Sequence, residues 1–315
     1  MSETVIPIIP EQETIHPVRL SHSSLETLLT CERKFQLDKL LITDIAKDET
    51  EHTVFGKAFG AGVATYMVTQ DADRALYEAW MTYWPELETE KKNQVRCFMA
   101  LIRAFPKLDT LLMDYEVVSF DGVDAVELSF RLNINPRFYF VGHIDVVVKH
   151  RISGVHYVFE CKTTGMPLLD LAPLYENSGQ ALGYSIALDR IVGKKLSGYG
   201  VLYFVAQLGR DFKATIHVLP YTKTLLDRLN WFISLGMDVK RLEEMAQLNV
   251  YPKRGKSCLQ YNRPCKYFGV CGLHTADKIK KQEADPIKYD FTYDLDTLVQ
   301  EHLDRLPTST LIQEL

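Results

Sequence analysis

Three charged residues interrupt two apolar runs near the middle of the chain. Asp145 lies in the run 139–149, and Glu160 and Lys162 lie at the end of the run 155–162. A short break that contains a glycine separates the two β-branched and aromatic runs, a pattern that predicts an antiparallel hairpin. Because strand side chains alternate between the faces of a sheet, Glu160 and Lys162 should share one face. With a tight turn, Asp145 should lie opposite one of them and point the same way.

The charges of this hairpin suggest its chemistry. Charges in a strand pair that is apolar on both sides raise the free energy of folding unless something compensates them. Two carboxylates form an oxygen-rich site for Mg²⁺ or Mn²⁺, and the neighbouring Lys162 can orient a water or stabilise a developing phosphorane charge. The pattern suggests a metal-dependent phosphodiesterase site, with an ordinary buried ion pair as the alternative. The opposite face should carry only uncharged side chains: Ile144, Val146, Val148, Tyr157, Phe159 and Cys161.

The order of these residues resembles the motifs of a known family. Gly142-His143-Ile144-Asp145 followed by Glu160-Cys161-Lys162 is similar to the G-x-x-D…(D/E)-x-K core of the PD-(D/E)XK nucleases, specifically the RecB-like branch, which includes CRISPR-associated exonucleases. Gln180-Ala181-Leu182-Gly183-Tyr184 resembles the Q-x-x-x-Y motif of that branch. On a helix, the Gln and Tyr of this motif share one face. The resemblance implies Asp145, Glu160 and the Cys161 backbone carbonyl as metal ligands, and Asp145, Glu160, Lys162, Gln180 and Tyr184 as the catalytic group.

One metal ligand of the family is missing. RecB-like nucleases usually carry G-x-x-x-H on a helix ahead of this core, and the match places Gly60 at the position of the His. Either another group substitutes or carboxylates and water hold the cation, as suits Mg²⁺. His52 and His143 are the candidate substitutes, with a locally hydrogen-bonded His as the alternative. Glu127, in a segment similar to the family's E-x-x-F, is a further candidate ligand or else a strand-edge charge.

Four of the six cysteines carry a second resemblance. Cys258, Cys265 and Cys271 are spaced C-x6-C-x5-C, which in a cytosolic chain indicates a metal or iron–sulfur site before disulfides. Cys31 lies in a Ser-rich stretch that resembles the front helix of RecB-like nucleases with a [4Fe–4S] staple, and the wide first gap resembles phage relatives. The resemblance implies that all four thiols hold a [4Fe–4S] cluster. Structural zinc and four reduced buried thiols are the alternatives.

The same resemblance implies the fold. We expect an α/β restriction-endonuclease-like core, a mixed sheet flanked by helices, with an N-terminal helical insertion and termini joined by the iron–sulfur staple. A flexible leader at 1–20, a RecB-like nuclease domain at 21–274 and a C-terminal extension at 275–315 are the predicted divisions. The nuclease domain should contain a helical part, the catalytic α/β core and the cysteine segment, at 21–113, 114–248 and 249–274 respectively.

Composition limits where DNA could bind. A chain of 315 residues with 46% apolar content can bury a substantial core. Its net charge of −5 provides no overall basic footprint, so nucleic acid would need local basic residues. Short basic runs are also common as solvated turns. The candidates for nucleic-acid binding are Arg33, Lys34, Lys253, Arg254 and Lys256.

The resemblance implies hydrolysis of DNA phosphodiester bonds with Mg²⁺ or Mn²⁺, by an exonuclease that acts on single-stranded ends in recombination, repair or replication. A catalytically impaired DNA-binding or assembly module on the same scaffold is the alternative, because the family His is missing. No run is suited to span a bilayer and the N-terminus lacks a signal-peptide pattern, which predicts a cytoplasmic protein. An amphipathic piece near residues 295–306 could pack on the core or dock a replication or recombination protein.

Overall fold

The computed structural model describes residues 17–41, 50–83, 85–196, 198–260, 263–269, 271–272 and 292–307. Most of the predicted leader lies outside these residues, as does much of the predicted C-terminal extension. Val18–Leu20, which the prediction assigned to the flexible leader, form a strand instead. Three residues are too few to show a period in the sequence.

In the described part of the chain, α-helices lie before, between and after the long strands of the sequence. Their bounds are α1 His22–Thr30, α2 Glu32–Phe35, α3 Glu51–Thr69, α4 Ala72–Thr82, α5 Gln94–Asp114, α6 Leu168–Glu176, α7 Gly179–Tyr184, α8 Ile186–Val192, α9 Leu225–Leu248 and α10 Leu295–Leu303. A π-helical turn follows α2 at Gln36–Leu40, and short 3₁₀ turns lie at Pro85–Leu87 and Gly255–Ser257. Within the described residues, α1 to α5 lie in the range 21–113, except for Asp114 at the end of α5.

The strands lie mainly in the middle of the chain. Their bounds are β1 Val18–Leu20, β2 Tyr115–Val117, β3 Ser119–Phe120, β4 Val123–Asp124, β5 Val126–Asn135, β6 Phe138–His150, β7 His156–Thr164, β8 Gly198–Leu208, β9 Ala214–Thr224, β10 Leu259–Gln260, β11 Arg263–Pro264 and β12 Thr292–Asp294. The predicted hairpin β6–β7 is confirmed as an antiparallel pair, and β8 and β9 also pair in antiparallel fashion.

A mixed sheet forms the centre of the described fold. Its strand order is β12-β5-β6-β7-β8-β9, and β1 and β2 also pair with β6. β7 and β8 are parallel, and the connection between them carries α6, α7 and α8, as a parallel crossover requires. The prediction of an α/β fold with a mixed sheet flanked by helices is confirmed, and it is consistent with a restriction-endonuclease-like core.

One predicted hairpin is only partly correct. We expected residues 115–120 and 125–134 to pair around Asp121 and Gly122. These two residues do turn the chain, with φ values of 49° and 79°, but they join only the short strands β3 and β4. β2 pairs with β6 instead. The Asp121-Gly122 pair correctly predicted where the chain reverses. Which strands pair with each other depended on the rest of the sheet.

Two hydrophobic clusters pack on the sheet, and they correct one expectation for β6. Ile144 packs in the cluster that contains Phe140, whereas Val146 packs with Phe159 in the other. The expectation that Ile144 and Val146 share a face is therefore wrong. Their partners on β5 flank Glu127, whose φ of 49° interrupts the extended backbone and the regular alternation.

The front of the chain, which resembles the single front helix of RecB-like nucleases, forms two helices separated at Cys31. Ser21 and Ser24 form a capping box at the start of α1, as the serine-rich stretch predicts. Cys31 then adopts an extended backbone, with φ −164° and ψ 113°, between α1 and α2. The chain consequently changes direction at the predicted cluster cysteine.

The cysteine segment docks on these front helices through buried ion pairs. The carboxylate of Glu32 is almost fully buried and accepts hydrogen bonds from Arg254 at 2.6 and 2.8 Å, and it also pairs with Arg241. The hydrogen bond from Arg254 lowers the pKa of Glu32. Tyr267 donates a hydrogen bond of 2.8 Å to Asp38. These contacts join segments more than 200 residues apart in the sequence.

The amphipathic piece near the C-terminus packs on the core. β12 pairs in parallel with β5, and α10 buries Leu295 and Leu298 in the same cluster as Phe140. Packing on the core, one of the two alternatives left open by the sequence for this piece, is therefore observed. No helix in the described part of the chain is long and apolar enough to cross a membrane.

Candidate active site

The register of β6 and β7 brings the predicted carboxylates together. Val146 pairs with Phe159, so the next position along each strand places Asp145 beside Glu160. Asp145 is fixed there, since its Oδ2 accepts a hydrogen bond of 2.8 Å from the backbone N–H of Cys161. The predicted pairing of Asp145 with the second strand is confirmed.

Glu160 has one satisfied and one unsatisfied carboxylate oxygen. The residue is 3% exposed, and its Oε1 accepts hydrogen bonds from Lys162 Nζ at 2.7 Å and Gln180 Nε2 at 2.8 Å. Its Oε2 is buried and has no hydrogen-bond partner. A buried anionic oxygen without a partner is costly. A divalent cation that also contacts Asp145 would satisfy it, so the donor set fits Mg²⁺ or Mn²⁺.

A chain of hydrogen bonds connects Lys162 to the helix that carries the Q-x-x-x-Y motif. Lys162 Nζ donates to Gln180 Oε1 at 2.8 Å, and Gln180 Nε2 donates to the hydroxyl of Tyr184 at 2.7 Å. Gln180 and Tyr184 lie on α7, which Ser178 caps by accepting a hydrogen bond from the backbone of Gln180. The helix therefore orients the amide so that it holds the Lys162 ammonium against Glu160.

The electrostatics of the site oppose two ionised carboxylates. Burial, and next to it the charge of Asp145, raise the pKa of Glu160 to about 8 against the opposing effect of Lys162. Burial also raises the pKa of Asp145, against the hydrogen bond from Cys161. Burial alone would lower the pKa of Lys162, but the carboxylate of Glu160 outweighs it and raises that pKa. Lys162 is therefore a stable cation beside acids whose charge needs compensation.

The structure places the remaining candidate ligands, Glu127, His143 and His52, in different surroundings. Glu127 is exposed, yet its charge is close enough to raise the pKa of Glu160. His143 is exposed, its Nδ1 lies 3.0 Å from the hydroxyl of Ser129, and it lines a cavity together with Lys162. His52 is 66% exposed and lies 3.6 Å from Glu51, its neighbour in the sequence. Of the two histidines proposed as substitutes, the structure brings only His143 to the cavity at the site.

No group of three or more His, Cys, Asp or Glu side chains in the described residues is placed to hold a metal ion. The carboxylate pair of Asp145 and Glu160 is smaller than such a group. The thiols of all four cysteines proposed for the cluster, Cys31, Cys258, Cys265 and Cys271, are free. They do not form such a group in the described structure either. Their segments nevertheless touch, because Arg33 donates a hydrogen bond to the carbonyl of Cys271 at 3.4 Å.

The basic residues proposed for nucleic-acid binding lie on these docked segments. Arg254 is paired with buried Glu32, although 48% of its side chain remains exposed. Lys253 and Lys256 are exposed. Lys34 is half-buried at the end of α2. Arg33 contacts Gln36 in addition to the cysteine segment. At least part of this basic group therefore stabilises the fold.

Two cavities meet at Lys162 and Gln180. One, of about 580 Å³, extends along β1 and β6. The other, of about 560 Å³, lies between α1, α7 and α9. His22 and Glu26 on α1 line both cavities, so α1 runs across the site.

Sequence reasoning did not identify the position of α1 at the site. A hydrogen bond from His22 lowers the pKa of Glu26, and the charge of Lys162 lowers it further. Nothing in the local pattern of α1 indicates this proximity, because it results from packing between α1 and α7.

Gly142 of the G-x-x-D motif has a steric role that can be tested. A Cβ atom at this position would lie 2.3 Å from the ring of Phe130 and 2.9 Å from that of Tyr184. Gly142→Ala should therefore lower the free energy of unfolding by about 1–3 kcal/mol and displace Tyr184. At Gly60, in α3, nothing lies within 4 Å of a built Cβ.

The matched substitution Gly60→Ala should raise the free energy of unfolding by about 0.5–1 kcal/mol, because alanine is the better helix former. Urea denaturation of both variants measures the two effects. Equal stability of the Gly142 and Gly60 variants would contradict this role of Gly142.

The site can be compared with known proteins. The PD-(D/E)XK nuclease superfamily matches residues 19–272 of this chain. A crystal structure of a candidate exonuclease from Eubacterium rectale is 13% identical, covers 87% of this chain and 100% of its own, and has a TM-score of 0.43, a likeness too distant to support an argument. No curated protein matches the chain. Because the matched region spans most of the sequence, including Asp145, Glu160 and Lys162, this chain belongs to the PD-(D/E)XK nuclease superfamily.

Proposed function

We propose that this nuclease is a metal-dependent deoxyribonuclease that removes nucleotides from single-stranded DNA ends, in recombination, repair or replication. The observation that carries the proposal is the buried Oε2 of Glu160, which has no hydrogen-bond partner and lies beside a second carboxylate and a fixed lysine. Such an arrangement is costly in a metal-free core and becomes favourable when a divalent cation binds.

The carboxylates of Asp145 and Glu160, together with the backbone carbonyl of Cys161, would hold Mg²⁺ or Mn²⁺. When bound, the cation supplies Lewis-acid stabilisation of the scissile phosphate. Asp145 is already oriented by the N–H of Cys161, and Glu160 by Lys162 and Gln180. The protein therefore fixes its ligand oxygens with contacts that involve the same short stretch of β7.

Lys162 is the residue positioned to act on the attacking water and on the developing phosphorane charge. Its ammonium is held at 2.7 Å from Glu160 and 2.8 Å from Gln180, which leaves one of its three N–H donors for substrate or water. Gln180 and Tyr184 keep that ammonium in place through the hydrogen bond between them. A preorganised donor of this kind stabilises charge without reorganisation during the reaction.

An assay with end-labelled DNA tests this proposal. Purified protein is incubated with linear single-stranded, linear double-stranded and circular single-stranded DNA in Mg²⁺, Mn²⁺ or EDTA. We expect cation-dependent shortening from the ends of linear single strands and no cleavage of circles. Cleavage of circles would contradict exonuclease action. Binding of DNA without cleavage in either cation would favour the alternative of an assembly module, which Gly60 at the family His position supports.

We also propose that Cys31, Cys258, Cys265 and Cys271 hold a [4Fe–4S] cluster, with zinc as the alternative. The support is that the two cysteine-bearing regions are already docked: Ser257 donates a hydrogen bond of 2.6 Å to the carbonyl of Thr30, next to Cys31. The backbone N–H of Cys265 also donates to the carbonyl of Cys258 at 2.8 Å. Four thiolates satisfy the ligand requirement of such a cluster.

Cys31→Ser should lower the bound iron and the thermal midpoint together, because it removes one ligand from the N-terminal side of the staple. Iron, sulfide and zinc content and absorption at roughly 400 nm measure the metal. Cys97→Ala is the matched control, since Cys97 is a fully buried thiol outside the proposed set. Bound zinc without sulfide would favour the zinc alternative. Metal-free wild-type protein prepared anaerobically would contradict both.

A further inference from the structure

The cavity between α1, α7 and α9 differs in chemistry from the cavity along β1 and β6. The latter is lined mainly by cationic and hydroxyl side chains, including Arg19, Lys39 and Ser21, although the carboxylate of Glu26 also lines it. The former is lined by apolar and aromatic side chains: Leu25, Leu29, Leu174, Tyr175, Trp231 and Leu235. Lys162 and Gln180 lie where the two meet. A nucleotide has a matching division into an anionic backbone and an aromatic base.

The aromatic wall of this cavity is rigid. Trp231 packs edge-on against Phe140 at 5.3 Å between ring centroids, and a Cβ atom at Gly179 would lie 3.2 Å from its indole. Tyr175 stacks on Tyr203 at 4.9 Å. Fixed rings lose little conformational entropy when they contact a ligand, and base–aromatic contacts are a common source of affinity for single strands.

The mouth of the cavity exposes apolar side chains that the fold does not use. Leu29 on α1 is 61% exposed and Leu174 on α6 is 64% exposed, and both line the cavity. Polar groups also line it, among them Asn177, Ser234 and Asp238, which can bond to the edge of a base. An apolar cavity with a few polar groups, adjoining a catalytic lysine, is suited to a planar heteroaromatic ligand.

We infer that this cavity is a nucleobase pocket, which receives one unstacked base from the nucleotide next to the scissile phosphate while the cationic cavity receives the sugar–phosphate backbone. The inference rests on the proposed function, since it identifies part of that substrate. A base that enters the pocket must leave its stack and its pair, which costs least in a single strand. The pocket would therefore contribute to a preference for unpaired ends.

Binding without cleavage tests the pocket. The probes are labelled thymidine tetranucleotides in EDTA, each with one reduced abasic residue at a different position, and the readout is fluorescence anisotropy. For the wild type, we expect one position at which loss of the base weakens binding roughly 5- to 10-fold, as loss of one stacked base should.

Two variant pairs locate this effect in the cavity. Ser234→Trp should fill the pocket and abolish the dependence on that base, whereas Met237→Trp, on an exposed residue of α9 outside the cavity lining, should retain it. Leu174→Ala should at least halve the dependence, and Leu169→Ala, an 89% exposed leucine on the same helix, should not change it.

Two outcomes would overturn the pocket: no abasic position that weakens binding to the wild type, or the same dependence in Ser234→Trp as in Met237→Trp. Failure of the proposed function is distinguishable from both. If the wild type shows the base dependence in EDTA but cleaves no DNA with Mg²⁺ or Mn²⁺, the pocket is supported and the proposed function is contradicted. If it cleaves single strands without any base dependence, the function is supported and the pocket is contradicted.

Discussion

Lys162→Ala is expected to reduce the rate of phosphodiester cleavage by about 10²- to 10⁴-fold. The ammonium of Lys162 is the cationic group placed between Glu160 and Gln180, and alanine removes it without adding volume. Glu160 loses a partner that lowers its pKa, so its carboxyl should be protonated to a higher pH. The neutral acid tolerates burial better than the ion, which should keep the fold intact. Single-turnover cleavage of labelled single-stranded DNA measures the rate.

Lys149→Ala is the matched control for this prediction. Lys149 also lies on a central strand and pairs with a glutamate, at 2.6 Å from Glu116, but it is 37% exposed and lies outside both cavities at the site. Its removal should leave the cleavage rate within about twofold, because exposed ion pairs contribute little free energy. Circular dichroism and DNA binding in EDTA should be similar for both variants. A Lys162→Ala protein that cleaves at the wild-type rate would contradict the role assigned to the lysine.

Glu160→Gln should abolish cleavage and binding of Mg²⁺ or Mn²⁺ at this site. The amide keeps the shape of the side chain but replaces an anionic ligand oxygen, which hard divalent cations require. In the wild type, cation binding must displace the proton that burial and Asp145 favour on Glu160. Cation affinity should therefore rise with pH up to about 8. Isothermal titration with Mn²⁺ at several pH values measures this dependence.

The same substitution should change how the stability of the metal-free protein depends on pH. The pKa of Glu160 is about 8 in the fold, against an ordinary value of 4.5 expected in the unfolded chain. Between these values the folded state binds more protons than the unfolded state, so the wild-type protein loses stability as pH rises. The amide introduced by Glu160→Gln does not titrate, so the variant should show a smaller loss.

Thermal unfolding in EDTA between pH 5 and pH 9 measures this difference. Glu116→Gln is the control, since Glu116 is an exposed strand glutamate whose pKa is lowered by Lys149. Its contribution has the opposite sign, present above the ordinary pKa and lost as pH falls. Wild type and Glu160→Gln with identical pH profiles would show that Glu160 is ionised in the metal-free fold and would contradict this account of its burial.

The hairpin that carries Asp145 and Glu160 could be predicted because its information is local. Period-two alternation and a glycine turn suffice to place Asp145 beside Glu160, and helical spacing puts Gln180 and Tyr184 on one face. The structure confirms both, and it adds that Gln180 bridges Lys162 and Tyr184. Both relations join residues that are close together along the chain or across one short turn, which is why they could be predicted.

Other features depended on partners far away in the sequence. The crossing of α1 over the site, the insertion of β1 beside β6 and the addition of β12 to β5 join segments separated by more than 100 residues. Ile144 lies on the face opposite to the expected one, because Glu127 on the neighbouring strand distorts the local backbone. None of these relations leaves a period in the sequence.

The sequence by itself determined the family motif, the α/β class and the order along the chain of two acids that could hold a cation and of the amine beside them. Only the tertiary structure decided that Glu160 has one satisfied and one unpartnered oxygen, and that an apolar and a cationic cavity meet at Lys162. The physical reason is that residue type and spacing specify neighbours along the backbone. Burial, unsatisfied hydrogen bonds and the walls of a cavity arise only when distant segments pack together.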